Sequence, residues 1–112
     1  MNWINITNFN IGYESHYSLR MPPVSYCIDN NLVRFRGEVI RSLSALATDN
    51  EICQLPVEIR PKHKINIEVN SGSSLNTEGS GFIQISTQGI ISFFSGNFEQ
   101  RYIRLNKIQY II

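Results

Sequence analysis

With 112 residues, 42% of them hydrophobic, the chain has room for one core and for no second domain. Ten Lys and Arg against nine Asp and Glu leave a formal charge of +1 without a clustered basic stripe, which argues against nucleic acid as a partner. Apolar runs of two or three residues fall far short of the roughly 20 that span a membrane as a helix, and Met1-Asn2-Trp3-Ile4 lacks the blocks of a secretory signal, so cytoplasmic synthesis without membrane insertion is expected.

Taken in order, segments of period-two or β-branched character fall at 3–7, 24–28, 32–40, 51–55, 64–69, 82–87, 90–95 and 102–112, about eight strands in all. Turn signals separate them: Asp29-Asn30-Asn31, the segment 55–61, Ser71-Gly72-Ser73-Ser74, Gly79-Ser80-Gly81, Gln88-Gly89 and Ser95-Gly96-Asn97. Helical spacing is nearly absent, and the stretch 42–48 supports a loop or a single turn. In the third segment Val33, Phe35 and Val39 point one way with Gly37 in the same register. A glycine there lets another backbone approach or marks a bulge. Ile65, Ile67 and Val69 alternate with polar residues, as do Ile83 and Ile85, so each strand gives one face to a core. Apolar residues continue to both ends, which places the termini in the sheet or an interface. The expectation is an all-β protein: one antiparallel β-sandwich or jelly-roll-like domain over residues 1–112.

The segment 55–61, Leu-Pro-Val-Glu-Ile-Arg-Pro, is the strongest punctuation. Each proline fixes φ near −65° and removes a ladder donor, so Pro56 and Pro61 cannot both lie in a central strand, and a shaped connection is built there.

Catalytic patterns are weak. Asp29, Asp49, Glu51 and Glu58 are not paired by any spacing, and read as solvated turn residues. No Gly-x-Ser-x-Gly elbow accompanies His16, and no lysine or helix follows Gly79-Ser80-Gly81, which reads as a hairpin turn. Asn5-Ile6-Thr7 fits a glycosylation acceptor, which has no weight without a secretory route. Cys27 and Cys53 sit in apolar contexts as small buried hydrophobes, and the absence of a secretory signal argues against a disulfide. No Cys-x-x-Cys occurs and His16 and His63 stand far apart, so no metal, no cofactor and no enzymatic activity are expected. Tyr13, Tyr17, Tyr26 and Phe98 each fit a core or interface role better than stacking on sugars when taken singly; Tyr13, His16 and Tyr17 are the exposed set that a glycan site would use.

The order of signals carries a resemblance. Trp3, then Val33 to Val39 with Gly37, then Leu-Pro-Val-Glu-Ile-Arg-Pro, then Ile83-Gln84-Ile85-Ser86-Thr87-Gln88-Gly89-Ile90-Ile91, then Leu105-Asn106-Lys107-Ile108-Gln109-Tyr110: this succession resembles the C-terminal head domain of phage tail-fibre, baseplate receptor-binding and minor structural proteins. Across nearly the whole chain, a Gly-bearing strand precedes a Leu-Pro-x-x-x-Arg-Pro turn and an Ile-x-Ile-x-x-x-Gly-x-Ile hairpin. Two departures stand out. The corner that often reads Asn-Gly-Trp is here Asn8-Phe9-Asn10-Ile11-Gly12-Tyr13, and the head motif begins near Met1, which leaves no stretch for a shaft.

The resemblance implies a homotrimeric β-sandwich on the virion surface that contacts other virion structural proteins and adheres to host cell-surface polysaccharide. It implies structural roles for the motif: Trp3 as a motif member, Pro56 and Pro61 setting the turn, Gly37 and Gly89 allowing backbone geometry, and Arg60 forming a hydrogen-bonded ion pair beside the turn. No saccharide-binding residue transfers, because the family's contacts lie in variable loops. The readings that follow are a fibre-type adhesion module, a capsid or tail decoration that binds no receptor, and, more weakly, a cellular lectin-like or phage-derived remnant.

Overall fold

The computed structural model describes residues 2–16, 21–42, 50–72, 79–95 and 101–112. Tyr17, Phe98 and the expected turn beyond Ser42 lie outside these described residues. The strands are β1 (Ile4–Asn5), β2 (Tyr13–His16), β3 (Ser25–Asp29), β4 (Leu32–Arg36), β5 (Glu38–Arg41), β6 (Glu51–Gln54), β7 (Ile65–Gly72), β8 (Gly79–Ile85), β9 (Ile90–Phe94), β10 (Tyr102–Arg104) and β11 (Gln109–Ile111). A four-stranded sheet runs β1-β3-β4-β11 and a seven-stranded sheet β2-β5-β10-β7-β8-β9-β6, with antiparallel pairing throughout. The all-β sandwich expected from alternation is the fold observed. No helix among the described residues is long and apolar enough to cross a membrane.

Two of the eight expected strands are each two strands, because the chain changes sheets inside them. Gly37 has φ +101°, a left-handed conformation that turns the chain between β4 in the small sheet and β5 in the large one. A Cβ there would stand 2.7 Å from the Val24 Cα, so the position also demands close backbone approach. The last segment divides likewise at a turn closed by the Ile108 N–H donating to the Leu105 carbonyl at 3.0 Å. These corners support each other: the Leu105 N–H donates to the Gly37 carbonyl at 3.0 Å and the Phe35 N–H to the Ile108 carbonyl at 3.1 Å. Alternation persists through the Gly37 corner, so a period-two pattern reads it as one strand; at the second corner the buried positions slip by one, from Ile103 and Leu105 to Ile108 and Tyr110. The Asp29-Asn30-Asn31 signal is borne out as a tight hairpin, with φ +49° at Asn30 and +69° at Asn31.

The chain entering β2 crosses to the opposite edge of the large sheet. Phe9 bridges Cys53, and the Asn10 N–H donates to the Ile52 carbonyl at 2.8 Å, so the sheet approaches a barrel. Val24, Val33, Ile52, Ile59, Ile83, Ile85, Phe93 and Ile103 fill the space between the sheets with almost no exposure. Burial of each such side chain contributes about 1.5–3 kcal/mol. Both ends are tied in, by the β1–β3 pair and by the Ile112 N–H donating to the Asn31 carbonyl at 2.8 Å. Both cysteines are buried and neither forms a disulfide, and burial pushes the Cys53 thiol up to about 12.

Candidate functional site

Between its two prolines the segment 55–61 forms a single 3₁₀ turn, Val57–Ile59, entered from Pro56 at φ −58°. Leu55, Ile59 and Pro61 are buried, which leaves the backbone of a tight turn in need of partners. Tyr110 supplies one by donating its hydroxyl to the Ile59 carbonyl at 2.6 Å, and burial pushes that hydroxyl above its ordinary range. Arg60 supplies another: its Nε donates to the Leu55 carbonyl at 3.0 Å. The Leu55 N–H donates to the Gly89 carbonyl at 2.8 Å, and the Arg60 side chain lies across Gly89, where a Cβ would come within 2.8 Å of its Cγ. Gly89 itself has φ +84°. The motif pieces around Leu55 and Gly89 are therefore one packed unit. The ion pair expected for Arg60 is replaced by a bond to a backbone carbonyl; no acid among the described residues pairs with it.

A polar cleft of about 440 Å³ lies against this unit, walled by Asn5, Thr7 and Asn8 from the chain around β1, by Tyr26 from β3, and by Gln54 and Arg60. Asn8 donates its Nδ2 to the Gln54 carbonyl at 3.2 Å, and Gln54 donates its Nε2 to the Gln88 carbonyl at 3.0 Å. These bonds fix both amides with the nitrogens turned inward to protein. Tyr26 is only 4% exposed, and its hydroxyl has no partner among the described residues. Burial, and next the Glu58 carboxylate, hold that hydroxyl above the ordinary phenol range, so it stays protonated.

The residues singled out as an exposed set do not assemble. Tyr13 is buried in the core cluster at 6% exposure, a correction of the expected exposure; its position opposite Arg41 turns it inward. His16, three residues along the same strand, takes the other face and pairs with Glu38 across β2–β5. Its Nδ1 lies 2.9 Å from a Glu38 oxygen, and its ring centroid is 5.7 Å from that of Tyr102. Glu38 is 1% exposed and also accepts from Arg104 Nε at 3.2 Å. Trp3 is half-buried, with the Arg36 guanidinium 4.3 Å from its ring centroid. Among the described residues no group of three or more His, Cys, Asp or Glu is placed to hold a metal ion.

The polar groups that Asn5, Thr7, Asn8 and Gln54 bring to the cleft carried no signal of a binding site. Asn5, Thr7, Asn8 and Gln54 are ordinary polar residues in or beside strands, and only the fold gathers them from positions about fifty residues apart in chain order.

No protein-family model matches the chain, and no curated protein matches it. Among solved structures it is similar to the crystal structure of the receptor binding protein (gp15) of Listeria phage PSA, with a TM-score of 0.67 over 97% of this chain at 18% identity. The chain spans 64% of the length of that protein's chain. At this identity the likeness establishes a shared fold.

Proposed function

We propose that this protein is a non-enzymatic receptor-binding module on the surface of a bacteriophage particle, acting as a homotrimer that adheres to host-surface glycan. The observation that carries the reading is the sandwich shared, over almost the whole chain, with a phage receptor binding protein. The independent resemblance of the Gly37, 55–61 and Gly89 motifs to phage head domains supports it. Binding requires no chemistry at the site: a trimer presents three copies of one weak contact, and linkage raises avidity well above that of a single site.

The test uses labelled protein on a panel of bacterial strains, with light scattering for the assembly state. Saturable binding that competes with unlabelled protein and blocks phage adsorption is expected of a trimer. A protein that is monomeric at micromolar concentration loses the trimer part of the proposal. One that coats phage particles stoichiometrically while adhering to no strain is a decoration protein, and the receptor reading is then wrong.

A further inference from the structure

We infer that the cleft beside the 55–61 turn binds an anionic, hydroxyl-bearing unit, a sugar acid or a sugar phosphate, with Arg60 as its anion-binding group. The source of such a unit on a host surface rests on the receptor-binding reading above; the chemistry of the cleft does not.

Arg60 is held in place without being neutralised. Its Nε is committed to the Leu55 carbonyl at 3.0 Å and its stem lies on Gly89, which leaves little freedom to the guanidinium. A guanidinium has five N–H donors, and here the four on the terminal nitrogens have no acceptor among the described residues. That free edge suits two parallel bonds to a carboxylate or a phosphate. A charge fixed in advance loses little side-chain entropy on binding.

The other polar groups of the cleft complete the pattern. The Tyr26 hydroxyl, protonated and without a described partner, is a second donor beside the cleft wall. Asn8 and Gln54 each use one amide N–H on a protein carbonyl, which leaves the amide oxygen and the second N–H of each to serve the hydroxyl groups of a ligand. Donors for an anion together with acceptors for hydroxyl groups describe one class of ligand. An unmodified sugar leaves the Arg60 charge unmatched, and a bare anion leaves the amide oxygens unused. The volume of about 440 Å³ lies within the range of small-molecule sites. Glu58, on the adjoining turn and close enough to Tyr26 to raise its hydroxyl, opposes an anion, so Glu58→Gln tightens anion binding and leaves neutral-sugar binding unchanged.

The experiment titrates the whole protein with glucuronate, glucose 6-phosphate and glucose while following the backbone amide signals of Asn8, Tyr26 and Arg60. The two anionic ligands shift these signals at concentrations roughly tenfold below glucose. Preference for glucuronate assigns a carboxylate source, and preference for glucose 6-phosphate a phosphate source. Arg60→Met removes the difference between the anions and glucose. Tyr26→Phe, which keeps the buried ring, weakens the anions by about fivefold and serves where Arg60→Met does not fold. Equal response to glucose and the anions overturns the inference, as does an absence of shifts in the cleft. Loss of anion binding in Arg60→Met with adhesion to cells intact leaves the cleft assignment and the receptor reading standing and removes the host surface as the source of the cleft's ligand. Arg60-dependent anion binding by a protein that adheres to no cell leaves the cleft assignment standing and removes the receptor reading.

Discussion

The Gly37 corner and the 55–61 turn use the same two parts, a left-handed glycine and an arginine, with opposite results. At the corner, Arg104 meets the Glu38 carboxylate, which is 1% exposed and also bonded to His16, so the positive charge is matched inside the protein. At the turn, Arg60 meets only a backbone carbonyl and keeps its full charge at a cleft. The lesson is that an arginine beside a buried turn is structural or available for binding according to what accepts its N–H groups. The glycines differ in parallel. A Cβ at Gly37 meets the Val24 backbone, which cannot yield, whereas at Gly89 it meets the Arg60 side chain, which can shift at the cost of its bond to the Leu55 carbonyl.

Glu38→Ala tests the matched side most severely. It strips the common partner from His16 and Arg104, and a loss of about 3 kcal/mol in denaturant unfolding is expected, moderated because both partners are partly exposed. A cost below 1 kcal/mol means that the cluster is not the anchor of β2, β5 and β10. Gly37→Ala comes next, at roughly 2 to 3 kcal/mol, because backbone strain and a backbone clash add. Gly89→Ala costs about 1 to 2 kcal/mol and shifts the Arg60 signals as well, since the stem must move. If Gly89→Ala proves the more damaging of the two, the contrast between a rigid and a yielding neighbour fails.

Removal of each arginine sharpens the comparison further. Arg104→Met leaves a buried carboxylate short of a partner and costs about 2 kcal/mol, while Arg60→Met costs about 1 kcal/mol or less. The reverse order in thermal or denaturant unfolding breaks the assignment of roles. The smallest effect comes from pH, beside the turn. The folded Cys53 thiol, raised from 9.0 to about 12, holds its proton more tightly than in the unfolded chain. The stability this contributes is whole below pH 9 and is lost as pH rises towards 12. A decline of about 1 kcal/mol by pH 9.5, absent in Cys53→Ala, is expected.

Much of the turn was legible beforehand. Two prolines and a glycine state local backbone requirements, and the 3₁₀ turn and the φ of Gly89 meet them. The faces of β7 and β8 were legible for the same reason, since alternation reports side-chain direction within one strand. The sheet change at Gly37 was not, because a corner that preserves alternation leaves no mark in a period-two pattern, and the change at 105–108 leaves only a one-residue slip between Leu105 and Ile108. Tyr13 could be read either as core or as part of an exposed set, because nothing in its neighbourhood announces that Phe9 and Asn10 cross to β6 and draw β2 over the core.

By itself the sequence determined many local events: most strands by alternation, the hairpins at Asn30-Asn31 and Gln88-Gly89, and the shaped turn by Pro56 and Pro61, while Gly79-Ser80-Gly81, expected as a turn, lies within β8. Which arginine is neutralised was decided only by tertiary structure. Arg104 finds its carboxylate 66 positions away in the chain, and the residues around Arg60 arrive from both sheets. Charge pairing acts over a few ångströms of space, whatever the separation along the chain, and only the closed fold makes those distances short.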